Sequence, residues 1–238
     1  GYFGGKLVPP MCIIYIRGAL VVIIVNIGRV PESFGMIFKY AFAPMPAAGG
    51  FAGSTITLAM GRGASRGIFS NEAGEGTAAT VHATAQTDHP AHQGMYGIME
   101  VFIDTIIICT LTALAILSSG VWNNGDTGAV LTLAAFRTVW GRWGTYILCI
   151  AIVLFTYSSY LGFFVEYRTS VEYLFGEKNV KLLQWFFFLP PILAVTMPIE
   201  AIWSLADMAV GFIVIPNMIA ILLLSKTFVK LFREYTGK

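Results

Sequence analysis

Apolar positions fall into blocks long enough to cross a bilayer, separated by short polar, glycine- or proline-bearing stretches. A helix rises about 1.5 Å per residue, so ~30 Å of hydrocarbon takes roughly 20 such residues. Val8–Ile27 is the first block, opened by Pro9 and Pro10, where missing amide donors are harmless. Arg17 inside it either snorkels or meets a helix partner. Arg29–Pro46 is too short and interrupted to span, and Phe34, Ile37 and Phe38 recur at helical spacing, which predicts an amphipathic linker helix on the membrane surface. Gly49–Gln86 reads as a broken span, and Met95–Ser118 as the next, with Asp104 within it. Gly120–Arg142 is too polar to cross; WNNGDTG marks a turn before a short helical patch. Tyr146–Tyr167, Leu182–Thr196 and Ile199–Ser225 bring the expected total to six, with Pro190, Pro191 and Pro198 interrupting the penultimate span and its exit.

The interruption in the second span is the informative one. Arg66–Thr77, RGIFSNEAGEGT, places Ser70, Asn71, Glu72 and Glu75 among Gly67, Gly74 and Gly76, between apolar flanks. A glycine-broken helix leaves amides and carbonyls free, and membranes tolerate that only where those groups face protein or an aqueous cavity. Secondary transporters build substrate and cation sites from such breaks, because half-helix ends and unwound carbonyls carry partial charge. A re-entrant turn or a tight packing contact is the other reading. Gly49, Gly50, Gly53, Gly61, Gly63 and Gly67 favour close helix approach under either.

Composition narrows the class. The 238 residues are 56% hydrophobic and 12% charged, with a mean hydropathy of +0.73. Soluble domains carry about a quarter charged residues, so this is an integral membrane chain. A net charge of +2 without a basic, aromatic-interleaved run argues against nucleic acid. Lys and Arg report topology instead. Arg168, Lys178 and Lys181 precede the fifth span, and Lys226, Lys230, Arg233 and Lys238 follow the sixth, which puts the carboxy terminus in the cytoplasm and Gly120–Arg142 outside. Cys12, Cys109 and Cys149 lack metal or redox spacing. His82, Asp88, His89 and His92 surround Pro90 in a turn rather than forming a metal site. No nucleophile–base pair or phosphate loop suggests an enzyme or a nucleotide cofactor. The chain opens on Gly1 without an initiator Met or signal peptide and is expected to be a piece of a longer protein.

The residues carry a family resemblance. RGIFSNEAGEGTAATVHATAQTDHP, then QG and VFIDTIIICTLTALAILSSG, resembles the alanine or glycine:cation symporters, the sodium:alanine symporter family. The likeness continues through PESFGMIFKYAFAPMPAAGGFAG, LFTYSSYLGFFVEYRTSVEYLFG and WSLADMAVGFIVIPN. It implies a leucine-transporter-like fold of two inverted five-helix repeats, with this chain as the carboxy-terminal half: Val8–Ile27 as the last helix of the first repeat, then the second repeat, in a single membrane domain. It further implies symport of a small amino acid, alanine or glycine, with sodium across the cell membrane, and an amino-terminal half of the same protein as partner.

The resemblance also assigns residues. Phe69, Ser70, Asn71, Gly74, Glu75, Ser159 and Phe163 fall where substrate would bind, and Ser70, Asp104, Phe155, Ser158 and Ser159 where sodium would be held. Sodium is a hard cation suited to hydroxyl, carbonyl and carboxylate oxygens. Serines in membrane helices also bond back to their own helix, an alternative for Ser158 and Ser159. Phe163 stands where a Trp is common in the family, removing an indole donor from the pocket wall. Glu72 either belongs to the site or neutralises Arg62 or Arg66. Glu75 is expected to face water or one of those arginines, because two desolvated carboxylates in contact resist ionisation. Asp104 is either a cation ligand or a helix contact, and Asp207 a gating or structural residue. A proton-coupled carrier is the nearest alternative, since Glu72, Glu75 and Asp104 can titrate, and an ion channel lined by acidic and carbonyl groups is the more distant one.

Overall fold

The computed structural model describes residues 2–41, 56–72 and 74–237. Among these residues the chain is mostly helical and has no strand. In order the α-helices are α1 (Tyr2–Val25), α2 (Val30–Ala41), α3 (Ile56–Asn71), α4 (Thr77–His82), α5 (Pro90–Val101), α6 (Thr110–Ser119), α7 (Gly128–Trp140), α8 (Arg142–Phe175), α9 (Glu177–Leu183), α10 (Leu189–Ala194) and α11 (Ile199–Thr236). The chain divides into two compact units, Gly1–Ala64 with Ile103–Ser159, and Ser65–Phe102 with Tyr160–Lys238.

The first unit is built on α1. Its face carrying Tyr15, Ala19, Val22 and Ile23 packs on Leu114 and Ala115 of α6, Phe136 of α7, and Leu148 and Ala151 of α8. Gly18 makes this closeness possible, since a Cβ there would lie 2.7 Å from Phe136 Cε1. The Tyr15 ring stacks on Phe136 at 5.8 Å and meets Phe155 edge-on at 5.7 Å. Its hydroxyl bonds that of Thr112, so the polar end of a buried Tyr is satisfied. Pro9 and Pro10 lie inside α1, which starts earlier than the apolar block does. Arg17 is exposed. In α2, Ile37 packs against the core while Phe34 and Phe38 are exposed. The turn before α7 is closed by Asn124, whose side-chain oxygen accepts from the Asp126 amide at 2.8 Å.

In the second unit, Tyr160, Phe164 and Tyr167 of α8 gather around Phe187, with centroids 4.6, 5.3 and 5.5 Å away. The Tyr167 hydroxyl donates to the Leu183 carbonyl at 2.8 Å. Helix α11 runs 38 residues from its N-cap at Pro198.

Four helices among the described residues are long and apolar enough to cross a membrane: Val8–Val25, Pro90–Ser119, Arg142–Phe175 and Ile199–Thr236. They coincide with four of the six expected blocks; the other two are the broken Gly49–Gln86 and Leu182–Thr196. Leu182–Thr196 is divided between the end of α9, a 3-10 segment at Gln184–Phe188 and the six-residue α10, whose first turn holds Pro190 and Pro191. Pro190 and Pro191 sit in the first turn of α10, where their missing amides are tolerated. The opening of Gly49–Gln86, through residue 55, and the end of Arg29–Pro46, residues 42–46, lie outside the described residues.

Candidate functional site

The glycine-bearing stretch does break its helix. α3 ends at Asn71, α4 starts at Thr77, and between them Glu72, Gly74 and Gly76 have φ of +51°, +87° and +83°. Glycine adopts these angles freely, but a left-handed residue with a Cβ is held at a cost of about 1–2 kcal/mol. Glu72 is the only non-glycine among the described residues with positive φ. Local bonds hold it: the Thr77 hydroxyl donates to Glu72 Oε2 at 2.7 Å, and the Glu75 amide donates to the Glu72 carbonyl at 3.1 Å. Strain of this kind collects at binding and switch sites.

Helix α11 borders the break. The Asn217 amide donates to the Gly74 carbonyl at 2.8 Å. Before the break, Arg66 forks onto Asp207, Nη1 to Oδ1 at 3.0 Å and Nη2 to Oδ2 at 3.3 Å, and the Ser65 hydroxyl donates to the same Oδ1 at 2.8 Å. The Arg66 guanidinium also lies 3.9 Å from the centroid of Trp203, whose ring meets Phe69 edge-on at 5.5 Å. Asp207 thus anchors α3 to α11.

This alters the expected pairings. Arg66 is the partner of Asp207, and the Glu72 carboxylate is engaged by Thr77. The Arg62 side chain lies outside the described residues. Glu75 does not meet Arg66; its Oε1 is buried, with no hydrogen-bond partner among the described residues. Glu166 on α8 carries a third carboxyl within electrostatic reach of Glu72 and Glu75. Sequence reading passed over Glu166 and Asn217. The signal for Asn217 was one polar residue in an apolar run; Glu166, followed by Arg168 and Thr169, looked like part of a polar helix end.

Phe69, Ser70, Asn71, Gly74, Glu75 and Phe163 belong to the second unit, whereas Asp104, Phe155, Ser158 and Ser159 belong to the first. Phe69, Ser70 and Phe163 are exposed, and Asn71, Gly74 and Glu75 partly buried. Asp104 sits in a π-helical stretch, Phe102–Cys109, between α5 and α6. Wide turns of this kind interrupt helices most often at functional positions. In α8 the Ser158 hydroxyl donates to the Phe155 carbonyl at 2.9 Å, the back-bonded alternative, and the helix ladder occupies that carbonyl as well. A cation taking the Phe155 carbonyl would require the Ser158 hydroxyl to turn. Ser159 is exposed on the same helix.

The histidines at the α4–α5 turn form a separate network. His82 lies between Glu100, at 3.2 Å from Nε2, and Gln93, at 2.7 Å from Nδ1. His89 Nδ1 accepts the Ala91 amide at 3.1 Å as the N-cap of α5.

The whole chain, residues 1–238, matches the profile of the sodium:alanine symporter family. It is 38% identical over 231 residues to an uncharacterised transporter, YflA, of Bacillus subtilis, covering 96% of this chain and 49% of that protein. It is 38% identical over 225 residues to the sodium/alanine symporter AgcS of Methanococcus maripaludis, covering 93% and 49%. A third relative, the sodium/proton-dependent alanine carrier protein of Bacillus sp. PS3, is 32% identical over 247 residues, covering 96% and 55%. The chain thus spans about half the length of the curated relatives it matches. With its long apolar helices and a match along its full length, this multi-pass membrane chain belongs to the sodium:alanine symporter family, a family of transporters and not of enzymes.

Proposed function

We propose that this chain is part of a secondary carrier that couples inward sodium flow to uptake of a small neutral amino acid, alanine or glycine. The observation that carries the reading is the break at Glu72–Gly76, where left-handed backbone interrupts a helix in an apolar chain and α11 clasps it. Free backbone groups at such a break can receive the charged ends of an amino acid. Phe69, Ser70, Asn71, Gly74 and Glu75, with Ser159 and Phe163, are the substrate-binding residues of this reading. Ser158, Ser159 and the Phe155 carbonyl are proposed sodium ligands, completed by the rest of the carrier, and Ser70 and Asp104 further cation ligands. Alternating access then follows when sodium orders the broken helix and the carrier rocks about the site. The site works in the cell membrane with the carboxy terminus in the cytoplasm, and no organic cofactor is involved.

One observation favours a proton in place of sodium. Glu72, Glu75 and Glu166 place three carboxyls near one another, and the relative from Bacillus sp. PS3 carries both ions in its name. Uptake of labelled alanine into proteoliposomes holding the full-length carrier, with sodium, lithium and proton gradients imposed separately, tests both readings. Sodium alone should drive accumulation. Uptake that ignores sodium and follows the proton gradient would transfer the coupling role to the carboxyl cluster.

A further inference from the structure

Asn217 is the one polar side chain between Gly211 and Leu224. An amide in such a run is costly in a membrane unless it is bonded. Its bond goes to a backbone carbonyl 143 residues away, that of Gly74 at 2.8 Å. This carbonyl lies between the end of α3 and the start of α4, so no helix ladder fixes it. Gly74 and Gly76 leave the intervening peptide planes freer to rotate than any other residue would. The Glu75 amide closes a local turn onto the Glu72 carbonyl, and α11 braces the stretch from outside over one face. Val214 Cγ1 and Met218 Sδ stand 4.0 and 3.9 Å from where a Gly74 Cβ would project, and a Gly76 Cβ would fall 2.5 Å from Asn217 Oδ1. Residues 214, 217 and 218 follow helical spacing, so Asn217 and its two apolar neighbours form a single clasp.

We propose that Asn217 is a positioning residue: through the Gly74 carbonyl it fixes the peptide planes of the helix break against which the amino acid is held. The role rests on the reading of the break as the amino-acid site. Asn217 touches no substrate. Losing its donor frees the Gly74 peptide to turn and lowers the fraction of molecules whose site is formed, so substrate affinity falls while the limiting rate per folded carrier is retained.

The test uses the full-length carrier in proteoliposomes with Asn217→Asp, which removes the donor at constant size, and Asn217→Ala, which removes it without adding charge. Two readouts are taken. The first is the half-saturating concentration and limiting rate of sodium-driven alanine uptake, scaled to folded protein. The second is the rate at which a methanethiosulfonate reagent labels an Ala78→Cys reporter beside the break, measured against the same protein without the reporter to subtract Cys12, Cys109 and Cys149. Loss of a hydrogen bond with an unpaired carbonyl left behind predicts a half-saturation value raised about 5- to 20-fold, with the limiting rate within about twofold. Labelling at position 78 should accelerate by a similar factor. Unchanged half-saturation and labelling in a folded variant would overturn the proposal, and so would failure of both variants to fold, which would make Asn217 a purely structural residue. Faster labelling in both variants, together with no sodium-driven uptake by the unsubstituted carrier, would uphold the clasp and overturn the transport reading.

Discussion

Asp207 offers the sharpest test of how the break is held. It receives a two-pronged Arg66 at 3.0 and 3.3 Å and a Ser65 hydroxyl at 2.8 Å, and Arg66 is stacked on Trp203. Both charged side chains are 33% exposed, between the surface and buried limits. Exposed pairs contribute about 0.2–1 kcal/mol, while hydrogen bonds to charged groups contribute about 1.5–3. With a fork geometry and partial screening, the Arg66–Asp207 coupling should be about 1–2 kcal/mol, or roughly 5- to 30-fold in a local opening equilibrium. Native-state hydrogen exchange of the last two turns of α3 in the full-length carrier reads that equilibrium. Asp207→Asn and Arg66→Gln should each speed exchange of the Ser65–Asn71 amides, and the double variant should add little to either. Coupling below about 0.3 kcal/mol, meaning additive effects, would refute the anchor. Arg66→Lys should recover only part of the protection, because an ammonium has neither the fork nor the flat face that lies on Trp203.

Other expectations follow from single contacts. Ser159→Ala removes a proposed sodium oxygen while barely changing volume, so the half-saturating sodium concentration should rise roughly tenfold to hundredfold with thermal stability kept; an unchanged value would remove Ser159 from the cation site. Gly18→Ala drives a methyl to 2.7 Å from the fully buried Phe136 ring and should destabilise the first unit by about 1–3 kcal/mol in denaturant melts, with Phe136→Leu partly restoring it. Gly144→Ala should be worse and not rescued by Phe136→Leu, because the obstacle there is the Phe136 backbone carbonyl, 2.7 Å away.

What the sequence disclosed is what local chemistry determines. Gly74 and Gly76 marked the break because only glycine takes left-handed backbone without strain, and both have φ above +80°. Glu72 shares that region at +51°, which composition could not foretell, since its support comes from Thr77 folding back onto its carboxylate. Pro190 and Pro191 marked a change of helix, and they do open α10, but the 3-10 geometry at Gln184–Phe188 before them leaves no trace in the apolar pattern. The wide turns around Asp104 likewise leave the apolar pattern intact. The partners were the least legible part. Arg66 has Glu72 nearby in the chain, yet its partner is Asp207, 141 residues on, and the amide that meets Gly74 is 143 residues away. Such pairings depend on which face of α11 approaches the break, and residue spacing within one helix cannot encode that.

On the proposed reading, the amino acid binds at the break at Glu72–Gly76. A structure of the full-length carrier determined in sodium and alanine tests it most directly. Density for an amino acid is expected within hydrogen-bonding distance, about 3 Å, of the backbone between Phe69 and Gly76, with the Asn217 bond to Gly74 intact. Alanine bound elsewhere, with that segment unoccupied, would contradict it.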